Sequence, residues 1–270
     1  MPDVLLLPGV PETEAASMVV DQLGPSVQAR LVAQVREHWR HAPPARPHAV
    51  GGRAMHVKVS SAGRLAWWGD GKAYRYLRRQ PGGAPLPPIP EFWVELWHRY
   101  TERDEPPDTA LVNWYPADDP AASIGFHADR TEHDLTLPIL TLNLGRARWA
   151  VRRQEGAPVS RCTLEPGAVV LLDGPTRLLE HSIERLVDYE DQLELGTAPP
   201  PAHPFVPYPS PLPNGRSRIS ITLRIAGDPA QALRVPGPGA RITSPAEVPL
   251  SWDALESLSA EVARRFRPRS

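Results

Sequence analysis

His127 and Asp129 are the first candidate metal ligands in this chain, a histidine two positions before an aspartate. Residues i and i+2 of a β-strand point to the same face, so this spacing presents an imidazole and a carboxylate side by side. His181, further along the chain, is the natural third ligand. Two histidines and one carboxylate can hold a divalent transition metal and leave coordination positions open. Taken alone, a His-x-Asp pair is more often a surface coincidence.

A second set of candidate residues lies on the last predicted strand, Arg216–Ile225. One face of this strand is apolar, and the other carries Arg216, Arg218, Ser220, Thr222 and Arg224. If the polar face is buried, its guanidinium groups need a partner, and arginine binds carboxylates through two parallel hydrogen bonds. This face is therefore a candidate cradle for an anion. The alternative is the solvated outer face of an edge strand.

The stretch Leu65–Tyr76 carries aromatic residues separated by glycines, namely Trp67, Trp68, Tyr74 and Tyr76. Aromatic side chains in such a stretch could stack on a flat ligand such as a nucleobase. The alternative is that they only fill space beneath a loop.

Composition limits the possible functions. A net charge of −1 gives no global attraction to nucleic acid or to an anionic membrane, so any such binding needs a local patch. The single cysteine, Cys162, excludes an internal disulfide and a cysteine-built zinc site. The apolar run Val4–Leu7 is far shorter than the roughly 20 residues that span a bilayer. We expect a cytoplasmic protein with no membrane contact and no obligate protein partner.

The sequence predicts helices and strands that carry these residues. Apolar periodicity predicts helices over Glu12–Leu23, Ser26–His41 and Pro90–Tyr100. From Met55 the period changes to two, and Ser61–Gly63 is predicted as a turn. Strands are predicted over Met55–Ser60, Ala110–Tyr115, Gly125–Asp129, Leu137–Leu144, Arg148–Arg153, Thr163–Leu172 and Arg216–Ile225. Many short strands separated by turns indicate a sandwich or a barrel.

Taken in order, these motifs resemble the AlkB family of Fe(II)- and 2-oxoglutarate-dependent dioxygenases. The resemblance runs from about Met55 to Gly227, and Arg218 and Arg224, six residues apart, are its most specific feature. The matching blocks are Asn113–Tyr115, His127–Asp129, Leu137–Gly145, Leu164–Val170, Arg177–Ile183 and Arg218–Arg224.

The resemblance implies an α+β fold with a mainly β core, a double-stranded β-helix (jelly roll) backed by N-terminal helices and followed by a C-terminal helix. We expect one dioxygenase domain over residues 1–228, with a helical extension (1–50), a substrate-lid region (51–90) and a jelly-roll core (108–228). A Pro-rich insertion would occupy residues 187–213 of this core. Residues 229–270 would form a linker and an amphipathic helix, Ser251–Arg267.

The resemblance also implies a site. Fe(II) would be held by His127, Asp129 and His181, which are then the catalytic residues. The co-substrates would be 2-oxoglutarate and O₂. The distal carboxylate of 2-oxoglutarate would bind Arg218, and its other oxygens would be held by Arg224, Asn113 and Tyr115.

The activity implied is oxidative N-dealkylation of alkylated nucleobases, as in DNA repair, with release of formaldehyde. Its partner would be single-stranded nucleic acid or a free alkylated nucleotide. Trp67 and Tyr74 stand where the family has its stacking aromatics, and Tyr76 follows just beyond. Thr131, however, stands where the family has an acidic residue that reads the base, and a threonine offers no charged acceptor.

Two alternatives to this activity stay open. The first is a 2-oxoglutarate-dependent hydroxylase or demethylase of a small metabolite or a protein. The second is a nucleic-acid-binding module without catalysis, against which the intact metal triad and arginine pair argue.

Overall fold

The computed structural model describes residues 14–187 and 217–227. The helices of this part are α1 (Glu14–Ser17), α2 (Pro25–His41) and α3 (Glu91–Thr101). None of them is both long and apolar enough to span a bilayer. Helix α2 begins at a proline, whose fixed φ suits the first helical turn, and α3 ends where Glu102 turns left-handed with φ 55°.

Two antiparallel sheets face each other and form the jelly roll. The larger sheet has the order β1-β10-β7-β12-β5-β2, the smaller has the order β6-β11-β8-β9, and β3 and β4 form a separate hairpin. The strands are β1 (Val19–Gln22), β2 (Lys58–Gly63), β3 (Ala66–Gly69), β4 (Tyr74–Leu77), β5 (Thr109–Tyr115), β6 (Ile124–His127), β7 (Ile139–Leu144), β8 (Ala147–Arg152), β9 (Ser160–Leu164), β10 (Ala168–Leu172), β11 (Glu180–Leu186) and β12 (Arg218–Arg224).

The apolar residues divide into two layers. The outer layer lies between the larger sheet and helices α2 and α3, where Leu142 and Ile221 pack with Leu31 and Trp97. The inner layer lies between the two sheets and includes Leu111, Ile139, Trp149, Val170 and Ile183. Alternation along β12 therefore sends its isoleucines toward the helices and its arginines, serine and threonine toward the space between the sheets.

The fold class expected from the sequence is confirmed for the described residues. Helices α2 and α3 and strands β2, β5, β6, β7, β8, β10 and β12 lie near the predicted positions, with shifts at their ends, whereas β9 and β11 were not predicted as strands. The linker Asp228–Pro249, the helix Ser251–Arg267 and residues 188–213 of the Pro-rich insertion lie outside the described residues.

Two expectations were wrong. Helix Glu12–Leu23 is cut short, because Val19–Gln22 pairs with β10 and so becomes an edge strand. The expected turn at Ser61–Gly63 belongs to β2, because those residues pair with β5. In both places a sheet edge offers backbone hydrogen bonds that override the local preference. The alternative of a solvated edge strand is excluded for β12, which lies between β5 and β7 and carries Arg218 and Arg224, each 3% exposed.

His38 ties α2 to the larger sheet. Its Nε2 lies 3.0 Å from Ser60 Oγ, and its ring meets Trp93 edge-on. Burial lowers the pKa of His38 to about 4, and His41 lowers it further in the same direction. The imidazole is therefore neutral in the folded protein at pH 7.

This burial predicts a loss of stability in acid. Because the pKa of His38 is lower folded than unfolded, the unfolded chain binds the extra proton as the pH falls from about 6.5 toward 4. The free energy of unfolding should drop by about 2 kcal/mol more in the wild type than in His38→Gln between pH 7.5 and pH 5. Urea denaturation at the two pH values measures this difference. Parallel losses in the two proteins would show that His38 is not responsible.

Candidate metal centre

A cavity of about 370 Å³ opens between the two sheets. Its volume is in the range of small-molecule sites in proteins. Residues from β5, β6, β7, β11 and β12 line it, together with the β3–β4 hairpin. The residues that the sequence singled out for metal and anion binding all lie on its wall: His127, Asp129, His181, Asn113, Tyr115, Arg218 and Arg224.

The two histidines meet because their strands pair. His127 ends β6 and lies opposite His181 of β11 in the register, with ring centroids 4.4 Å apart. The metal-binding atoms of these histidines and of Asp129 all lie within 4.8 Å of one another. This set of two imidazoles and one carboxylate suits a divalent transition metal such as Fe(II).

Backbone carbonyls fix the orientation of both rings. His127 Nδ1 lies 2.8 Å from Gly125 O, and His181 Nδ1 lies 3.2 Å from Leu179 O. A carbonyl oxygen only accepts, so each Nδ1 carries the proton and donates it. Each Nε2 keeps its lone pair for a metal, which is the usual arrangement of metal-binding histidines.

Charge and burial hold the ligands in the protonation states that a metal needs. Burial alone would raise the pKa of Asp129, but Arg224 and then His181 hold it well below its usual range. Burial lowers the pKa of His181 to about 4, and His127 adds to this effect. At neutral pH, Asp129 is therefore ionised and His181 is neutral.

Arg218 is a buried cation with a free donor facing this cavity. Its Nε donates to Asn143 Oδ1 at 2.7 Å, and its guanidinium lies over the Tyr115 ring, 4.7 Å from the centroid. Its buried Nη1 has no hydrogen-bond partner among the described residues. Leaving a buried guanidinium donor unsatisfied is costly, so the site fits an anionic ligand. Asn113, on the same wall, contacts Ser220 at 3.4 Å.

Arg224 is already compensated by protein carboxylates. Its Nη1 donates to Glu132 Oε1, and its Nη2 donates to Asp129 Oδ2 at 3.3 Å. Its Nε has no partner among the described residues. Arg224 therefore orients the metal ligand Asp129, a contact that the sequence did not indicate.

Sequence reasoning missed Glu132 and Arg177, which are 1% and 2% exposed. Arg177 donates to Leu137 O at 2.6 Å, to Asp129 O at 2.8 Å and to Glu132 Oε2 at 3.1 Å. It thus clamps the loop that follows His127. Two features of the sequence could have indicated these residues. Glu132 lies three residues after Asp129, and Arg177 opens the block that contains His181.

The residues expected to bind substrate are not all brought to the cavity. Trp67 and Tyr74 line it and stack on each other, with centroids 5.2 Å apart and planes 23° apart, and Thr131 lines it too. Tyr76 is not on the wall. Its ring packs with Leu65 and Ala226, and its hydroxyl donates to Glu132 Oε1 at 2.7 Å.

Comparison with known proteins gives consistent relatives. The family model of the 2OG-Fe(II) oxygenase superfamily matches residues 16–224. The chain is 33% identical over 206 residues to the alpha-ketoglutarate-dependent dioxygenase AlkB homolog of Caulobacter vibrioides (strain NA1000 / CB15N), covering 74% of this chain and 83% of the relative. It is 27% identical over 181 residues to the alpha-ketoglutarate-dependent dioxygenase AlkB of Escherichia coli (strain K12), covering 64% and 82%.

The fold has a counterpart among solved structures. The structure of OsALKBH1 matches with a TM-score of 0.57 at 20% identity, covering 77% of this chain and 95% of that chain. At this identity the match supports the fold.

The clamp formed by Arg177 predicts a large effect on stability. Arg177→Met leaves Glu132 short of one buried partner and frees Asp129 O, which should cost about 3–5 kcal/mol of unfolding free energy. Arg161→Met is the matched control, since it breaks the more exposed pair with Glu184 (2.9 Å) and should cost at most about 1 kcal/mol. Urea denaturation of both variants checks the difference. Equal, small losses would mean that the buried cluster does not hold the loop.

Proposed function

As the chain belongs to the AlkB family of the 2OG-Fe(II) oxygenase superfamily, we propose that this Fe(II)- and 2-oxoglutarate-dependent dioxygenase removes N-alkyl groups from alkylated nucleobases. The base would be presented in single-stranded nucleic acid or as a free nucleotide, and the alkyl carbon would leave as formaldehyde when it is a methyl group.

The cavity fits both cofactors of the family. His127, Asp129 and His181 would hold the iron through two Nε2 atoms and one carboxylate, and the carbonyls behind the rings keep the lone pairs directed inward. Arg218 would take the distal carboxylate of 2-oxoglutarate with its unsatisfied Nη1. When bound, these groups supply the activation of O₂ and the oxidation of a C–H bond, and the protein supplies position and shielding.

The observation that carries the substrate proposal is the aromatic wall, by which we mean the stacked side chains of Trp67 and Tyr74. This wall lines the cavity that holds the metal triad. A flat base stacked on an aromatic side chain gains about 1–3 kcal/mol without any sequence preference. An N-alkyl group on such a base would point into the space that the triad also faces.

Positive charge at the cavity supports a phosphate-bearing substrate. Arg53 and Arg130 both line it, and neither has an ion-pair partner within residues 14–187 and 217–227. The Nε of Arg130 is also without a hydrogen-bond partner in the same part of the chain. These guanidinium groups supply the local patch that the net charge of −1 does not.

Thr131, at the position where the resemblance implies an acidic residue, favours a different way of recognising the base. Thr131 lines the cavity without a charge. A threonine hydroxyl both donates and accepts, so it tolerates more hydrogen-bonding edges than a carboxylate does. We infer a broad preference among alkylated bases. Oxidation of a small metabolite or a protein side chain is the second candidate, favoured by the same absence of a charge at Thr131.

The function predicts formaldehyde release from methylated oligonucleotides supplied with Fe(II), 2-oxoglutarate and O₂. Formaldehyde and succinate should form in equal amounts, and Asp129→Ala should form neither. Trp67→Ala should lower kcat/KM for the oligonucleotide by roughly 10- to 100-fold through the loss of stacking. Trp68→Ala is the matched control, because Trp68 does not line the cavity.

The screen should include methylated nucleotides and small N-methyl metabolites beside the oligonucleotides. Succinate formation that is stimulated only by a small metabolite or a peptide, with no formaldehyde from any methylated nucleic acid, would contradict the proposed substrate class.

A further inference from the structure

The aromatic wall stands on a hairpin that belongs to neither main sheet. Strands β3 and β4 pair only with each other among the described strands. A two-stranded hairpin is marginally stable in water, so the rest of the protein must hold it in place. At its turn, His48 N donates to Gly69 O at 2.9 Å and Gly51 N donates to Gly71 O at 3.0 Å. The opposite end carries Tyr76.

Tyr76 bonds to the loop that contains a metal ligand. We call residues 127–132 the metal-ligand loop. The Tyr76 hydroxyl donates to Glu132 Oε1 at 2.7 Å and lies 3.4 Å from Arg224 Nη1. Since Tyr76 does not line the cavity, these bonds do not serve substrate directly.

The same bonds continue to the metal site. Glu132 accepts from Arg224 Nη1, and Arg224 Nη2 donates to Asp129 Oδ2 at 3.3 Å. Glu132, Tyr76 and Arg224 are all 9% exposed or less. Charge-assisted hydrogen bonds among buried groups are strong and polarise one another. A continuous bonded path therefore joins the hairpin to a candidate iron ligand.

We propose that Tyr76 is a positioning residue that couples the aromatic wall to the metal-ligand loop, an inference that rests on the proposed function for the role of the wall. Filling the metal site fixes Asp129 and, through Arg224 and Glu132, the hydroxyl of Tyr76 and the strand that carries Tyr74. Coupling between two sites is reciprocal, so a base stacked on the wall stabilises the metal-loaded loop in turn.

The competing explanation is that Tyr76 only fills the core beneath the hairpin. Tyr76→Phe separates the two explanations, because it removes the hydroxyl and keeps the ring packed on Leu65 and Ala226. Tyr100→Phe is the matched control. Tyr100 lies on helix α3 and off the cavity wall, and its hydroxyl donates to the carboxylate of Asp21. The substitution therefore also removes a tyrosine hydroxyl that donates to a carboxylate.

The test is hydrogen–deuterium exchange of peptides covering residues 66–77, with and without saturating Mn(II) as an inert probe of the metal site. Mn(II) should slow exchange of these amides by roughly tenfold in the wild type and in Tyr100→Phe, the size expected for one bond to a charged group. In Tyr76→Phe the slowing should be lost, while Mn(II) still protects residues 127–132. Equal slowing in Tyr76→Phe and wild type, or none in the wild type, overturns the proposal.

A kinetic readout adds a second arm. Tyr76→Phe should raise KM for a methylated oligonucleotide several-fold. The turnover of 2-oxoglutarate without substrate should change less than twofold. Equal changes in KM and in this turnover would indicate a structural role and contradict the proposal. Thermal melting checks that the variant folds; if it does not, the wild-type exchange experiment still tests the coupling, because an absence of slowing by Mn(II) there overturns it. Exchange needs no substrate, so the coupling can fail or hold whether or not nucleic acid is the substrate.

Discussion

The structure depends on how two buried arginines of one central strand are neutralised. Arg218 and Arg224 each lie 3% exposed on the cavity face of β12. Arg224 is neutralised from within by Asp129 and Glu132, whereas Arg218 keeps a buried donor without a partner in the described structure. A buried charge must be paired or the fold loses stability. Arg224 therefore holds Asp129 in the metal-ligand loop, and Arg218 keeps a donor that an anionic ligand would satisfy.

The position of β12 within the sheet explains why this one strand can carry both arginines. Strand β12 lies between β5 and β7, so its backbone is fixed on both sides. Its apolar face is covered by α2 and α3, and its polar face opens into the cavity. The six-residue spacing sends both arginines to the same side while separating them along the cavity. In the function we propose, this separation would let Arg224 hold the metal ligand Asp129 while Arg218 binds the distal carboxylate of 2-oxoglutarate.

Much of this arrangement could be predicted from the sequence, because strand periodicity decides which residues share a face. Asn113 with Tyr115 and the arginines of β12 follow from a period of two, whereas Asp129 lies in the loop after β6, which ends at His127. The missed contacts have another origin. Glu132 meets Arg177 and Arg224 across 45 and 92 residues, and no local pattern encodes such pairings. Tyr76 was grouped with the wall aromatics because a period of two places it on the same face of β4 as Tyr74, but its hydroxyl bonds to Glu132 and the residue does not line the cavity.

The most direct test of the account is an anaerobic calorimetric titration of the Fe(II)-loaded protein with 2-oxoglutarate. One 2-oxoglutarate should bind per chain in an Fe(II)-dependent manner. Arg218→Lys should weaken this binding roughly 10- to 100-fold with Fe(II) affinity unchanged, because an ammonium cannot reproduce the two parallel hydrogen bonds of a guanidinium to a carboxylate. Binding of 2-oxoglutarate to Arg218→Lys as tightly as to the wild type, or binding that is indifferent to Fe(II), would contradict the account.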